Sequence, residues 1–74
     1  MHKKLYLVSR YMGKEKTYHC FHFRGYYCGH YIRKVYVSCG NFDLGEEYIL
    51  VLDSVKIENS LLLGQLVRFK KFPI

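Results

Sequence analysis

Tyr31-Ile-Arg-Lys-Val-Tyr-Val-Ser-Cys39 is the stretch whose reading decides the fold. Tyr31, Arg33, Val35, Val37 and Cys39 alternate with Ile32, Lys34, Tyr36 and Ser38. β-Branched and aromatic residues at period two are what a half-buried strand requires. The same period runs outward toward the N-terminus. Tyr18, Cys20, His22 and Arg24 alternate with His19, Phe21 and Phe23, and Leu5, Leu7, Ser9 and Tyr11 alternate with Lys4, Tyr6, Val8 and Arg10. Met12-Gly-Lys-Glu-Lys16 and Arg24-Gly-Tyr-Tyr-Cys-Gly29 supply the breaks, since glycine tolerates positive φ. Toward the C-terminus, Ile49, Val51, Val55 and Ile57 fall on one face of the run 48–58. Asn59-Ser60 has the length of a tight hairpin turn, and Leu61, Leu63, Val67 and Phe69 then share a face of the run 61–72. Gly64 and Val67 weigh against a helix starting at Leu61. Five strands are expected, near 4–11, 17–24, 30–39, 47–57 and 61–71, with little or no helix. Strands this short bury a core best as a small antiparallel barrel, which also hides the sheet edges.

Seventy-four residues suit one domain, 1–74, whose core is small. Half the residues are apolar and 24% charged, a folded rather than a disordered composition. The longest apolar run, Tyr48-Ile-Leu-Val-Leu52, is far below the ~20 residues of a membrane span. The apolar stretch after Lys3-Lys4 ends at Arg10, too soon for a signal-peptide core, so a cytoplasmic location is expected. Three cysteines, an odd number, fit reduced thiols better than a disulfide framework.

The net charge of +6 is unevenly spread. Residues 1–40 carry Lys3, Lys4, Arg10, Lys14, Lys16, Arg24, Arg33 and Lys34 against Glu15, a balance of +7. Residues 41–60 carry Asp43, Glu46, Glu47, Asp53 and Glu58 against Lys56, or −4, and residues 61–74 restore +3. Such a field attracts polyanions, although a basic balance also serves solubility alone.

With five strands in hand, the second half resembles the end of an OB-fold. Arg33-Lys-Val-Tyr-Val-Ser-Cys39 is similar to a third strand, and Phe42-Asp-Leu-Gly-Glu-Glu-Tyr-Ile-Leu-Val-Leu to the entry into the fourth. Val55-Lys-Ile-Glu-Asn-Ser-Leu-Leu-Leu-Gly-Gln-Leu-Val looks like the final hairpin. The likeness covers roughly residues 30–72 and is to the bacterial single-strand-binding and primosomal proteins as a class. Two departures stand out: residues 40–46 are too few for the helix usual there, and the chain is short, which leaves an SH3-like barrel open. The resemblance implies a ligand lying across strands two and three, between the loops after strands one and four.

A single-strand site needs cations for phosphates and flat rings for bases. The residues that offer both, in those regions and in the glycine-flanked loop between strands two and three, are Lys14, Lys16, Tyr18, Arg24, Tyr26, Tyr27, Tyr31, Arg33, Lys34 and Tyr36. Phe21 and Phe23 lie on one strand face without a cation and suit the core. The expected function is binding of single-stranded DNA or RNA with little sequence preference. The other class is a protein-interaction module, contacting a protein partner or forming a homo-oligomer, which tyrosine enrichment also suits.

Cys20-Phe-His22 and Cys28-Gly-His30 form two C-x-H pairs. A hairpin with His22 opposite Cys28 would face Cys20 with His30 and converge all four on a tetrahedral zinc. Against this, structural zinc sites usually space their cysteines C-x₂₋₄-C, and the expectation is no cofactor. No third group orients a Cys–His pair and no glycine-rich phosphate loop is present, so no enzyme is expected.

Overall fold

Each period-two run is a strand in the computed structural model, which describes residues 4–73. They are β1 (Leu5–Glu15), β2 (Tyr18–Tyr27), β3 (His30–Val37), β4 (Glu47–Glu58) and β5 (Leu61–Phe72). None of the described residues is helical. Lys3, counted in the basic half, lies outside the described residues. The strands close into an OB-fold-like barrel in the order β1-β2-β3-β5-β4. Four pairings are antiparallel, and the fifth, which joins Lys34–Tyr36 of β3 to Leu61–Leu63 of β5, is parallel. The β2–β3 and β4–β5 corners turn on Cys28-Gly29 and Asn59-Ser60, all four at positive φ. That backbone matches the right-handed twist of the strands it joins.

The strands end within the expected breaks 12–16 and 24–29, at Glu15 and Tyr27, and Gly13 and Gly25 are irregularities inside the strands rather than their ends. The β1–β2 register slips between Tyr11 and Gly13, where Gly13 has φ +105°, and the β2–β3 register slips between His22 and Gly25. A bulge of this kind bends the strand, and both strands run on past it.

The core is built by Leu7 and Tyr11 of β1, Phe21 of β2, Ile32, Val35 and Val37 of β3, Tyr48, Leu50 and Leu52 of β4, and Leu62 of β5. Three expected faces are corrected by the slips. Ile32 and Val35, three residues apart, are both fully buried, so the alternation of β3 changes phase between them. In β4 the register slips between Asp53 and Lys56, with Ser54 at φ 51°. Val55 and Ile57 therefore pack against the core with Leu50 and Leu52, while Ile49 and Val51 take the opposite side. In β5 the inward residues are Leu62 and Leu66, and the slip between Leu66 and Arg68 turns Phe69 onto Phe42 and Tyr48, away from the face of Leu61 and Leu63.

Phe42, in the loop between β3 and β4, fills the place of a capping helix. Its ring centroid lies 4.8 Å from that of Phe21, 5.1 Å from Tyr48 and 4.6 Å from Phe69. The tilted and edge-on approaches are the favoured aromatic geometries. The Asp43 backbone N–H donates to the Tyr48 hydroxyl at 2.7 Å, and Gly40, at φ +118°, lets the chain pass directly against the Phe42 ring.

Candidate nucleic-acid interface

The outward side of β2 and β3 gathers most of the sequence-predicted residues. His22 lies opposite Lys34, and His22, Arg24, Tyr31, Arg33 and Lys34 line a concavity of about 180 Å³. Beside it, Lys16, Tyr18 and Tyr36 line a second of about 230 Å³, with Glu15, Leu61 and Leu63. Tyrosine pairs flank the cations at both ends, with Tyr18, Tyr26 and Tyr31 exposed and Tyr36 half-buried. Tyr26 and Tyr31 stand 5.3 Å apart, edge to face, and Tyr18 and Tyr36 stand 6.2 Å apart in the same manner. From Tyr18 to Tyr26 the face runs roughly 25 Å at the usual rise per strand residue.

Glu15 is the carboxylate on this face. It lies 3.9 Å from Lys34 Nζ and accepts a hydrogen bond of 3.1 Å from the Tyr36 hydroxyl. Burial first, and then the bond to Glu15, push the Tyr36 phenol up to about 12, so it stays a protonated donor. Burial likewise raises the Cys20 thiol, which lies opposite Tyr36 in the register.

Two predicted residues fall elsewhere. Tyr27 packs against the core, on the side away from Tyr26. Lys14 pairs with His19 of β2, whose ring is buried, and its charge helps lower the pKa of that ring. His22, weighed as a zinc ligand, stands instead on the basic face, in period-two phase with Arg24. Sequence reasoning also missed Leu61 and Leu63, whose outward orientation follows from the phase of β5.

The zinc arrangement is not formed. His22 faces Lys34 rather than Cys28, Cys20 faces Tyr36 rather than His30, and Cys28 sits in the turn. All three thiols are free, and no group of three or more potential metal ligands converges among the described residues.

What the arrangement can do chemically is hold an anion. Two guanidiniums offer planar forks, one lysine a compact charge, and the imidazole a further donor, all walled by Tyr31. Comparisons with protein-family models, with curated proteins and with solved structures find no match to this chain.

Proposed function

We propose that the chain binds single-stranded nucleic acid across the outer face of β2 and β3, as a binding protein without catalysis and with little sequence preference. One observation carries this reading: Arg24, Arg33 and Lys34 share a concavity with His22 and Tyr31, between two tyrosine pairs of which Tyr18, Tyr26 and Tyr31 are exposed. Cations neutralise phosphates, and rings stack bases of any identity at about 1–3 kcal/mol each. The length of the face suits a few nucleotides, the low end of the ~4–16 engaged by one OB-fold. The strand order and the position of the site on strands two and three support the OB-like mode of binding expected from the sequence. A titration of labelled single-stranded DNA and RNA oligonucleotides at two salt concentrations tests it. Saturable binding that weakens steeply with salt is expected, and no binding at low salt removes the proposal.

A second reading, a protein-interaction module, is favoured by the opposite wall. Tyr6, Ile49, Val51, Arg68, Phe69 and Lys70 line an open groove of about 390 Å³ on β1, β4 and β5, where Tyr6 is 58% exposed and available to a partner. Apolar surface ringed by cations is suited to a protein contact. Light scattering of the wild type and of Tyr6→Ala, both without nucleic acid, reports whether this groove joins two copies.

A further inference from the structure

Resting on the single-strand reading, we propose that the concavity of His22, Arg24, Tyr31, Arg33 and Lys34 seats a terminal phosphate monoester, so that the chain holds a strand by its phosphorylated end. The backbone irregularity concentrates the charge there. In a regular strand Arg33 and Lys34 would point to opposite sides. Because Ile32 and Val35 are both fully buried, Arg33 and Lys34 instead lie together on the outer surface. Across the hairpin, the register passes from His22–Lys34 to Gly25–Ile32, so Phe23 and Arg24 oppose Arg33 alone. Phe23 packs against the core, and Arg24 joins Arg33 in the concavity.

Three cations thus converge, two of them with no ion pair among the described residues. Like charges facing each other weaken a sheet, and among the described residues Arg24 and Arg33 have no carboxylate partner. Only Lys34 has one, Glu15 at 3.9 Å, and that carboxylate is shared with Tyr36. A bridging phosphodiester brings one charge. A terminal monoester brings about −1.5 to −2 and three strong acceptor oxygens, which two guanidinium forks and a lysine can fill. A concavity of about 180 Å³ suits one such group rather than a run of them. Tyr26, 74% exposed and set edge-to-face with Tyr31, offers a stacking surface for the adjoining base.

The test uses one internally labelled oligonucleotide made with a 5′-phosphate, with a 3′-phosphate, and with hydroxyls at both ends. At fixed ionic strength, at least one phosphorylated form should bind about tenfold tighter than the hydroxyl form. Which form does so identifies the strand end. Arg33→Gln and, separately, Arg24→Gln should abolish that advantage, and inorganic phosphate should compete it away in the wild type. Both arginines are exposed, and melting curves establish that each variant folds. Equal binding of all three oligonucleotides overturns the terminal-phosphate seat and leaves the single-strand reading standing. An advantage that survives both variants also overturns it. No binding of any form at low salt removes both.

Discussion

The Tyr11 hydroxyl lies 2.8 Å from Nδ1 of His19, a hydrogen bond between neighbouring strands with both rings buried. Burial, and secondarily the charge of Lys14, hold the His19 imidazole below its ordinary value of 6.5, so it is carried neutral in the barrel. The unfolded chain takes up this proton near pH 6.5 and the folded chain only at lower pH. Stability from this residue is therefore complete above pH 6.5, falls as pH descends toward the folded value, and then levels. Urea melts from pH 7.5 to 5 should show the wild type losing up to about 1.4 kcal/mol per pH unit relative to His19→Gln. Tyr11→Phe, which strands a buried imidazole nitrogen, should cost about 1–2 kcal/mol at pH 7.5.

Phe42 should behave as a core residue despite its place in a loop. Phe42→Ala exposes the end of the barrel to water and should cost about 3 kcal/mol in chemical denaturation. Gly40→Ala should also destabilise strongly. A Cβ at Gly40 would lie 2.5 Å from the Phe42 ring, and φ +118° is strained for any L residue.

The thiols should divide two to one. Cys28 and Cys39 are exposed, whereas Cys20 is buried and its thiol is held protonated by that burial. A colourimetric thiol reagent should modify two cysteines quickly in native protein and the third only on unfolding. Because the hairpin register separates the two C-x-H pairs, a chelator should leave the melting temperature unchanged.

Salt and side-chain changes should separate the two ingredients of the proposed interface. With Lys16, Arg24, Arg33 and Lys34 engaged, log K against log[salt] should have a slope of roughly −3, at about −0.7 per phosphate contact. Arg33→Ala should make it shallower by nearly one contact. Tyr18→Ala or Tyr26→Ala should weaken binding by about 1–3 kcal/mol without altering the slope, since stacking releases few ions. Tyr27→Ala should lower the melting temperature instead, because that ring packs against the core.

The strands were legible because alternation is local: the hydrophobic period of 48–58 or 31–37 names a strand without reference to any partner. The inside and outside of each strand were less so. Ser54 at φ 51° exchanges the faces of β4, so Ile49 and Val51 part company with Val55 and Ile57, and no residue type in that run announces it. Glycine marked the slips at Gly13 and Gly25, yet it signals a bulge and a turn with equal force. The β2–β3 hairpin turns at Cys28-Gly29 rather than near Gly25, so the convergence weighed for Cys20, His22, Cys28 and His30 does not form. The basic face survived, since His22 and Arg24 stay on the outer side of β2 while the phase change of β3 adds Lys34 to Arg33.

Only three residue pairs, Lys34–Leu61 to Tyr36–Leu63, form the parallel seam between β3 and β5, helped by the Arg33 N–H donating to the Ser60 carbonyl at 2.9 Å. The antiparallel β4–β5 ladder is far longer. The seam joins stretches distant in sequence and has the fewest paired residues of the five pairings, so little bonding offsets the entropy of its closure. It is the joint at which this barrel should breathe, and amide exchange should be fastest along it. Tyr36 stands on one side of the joint and Leu61 and Leu63 on the other, all three lining one concavity. Any molecule resting there acts as a rivet across the opening, and occupancy would be felt as slowed exchange around the whole circumference.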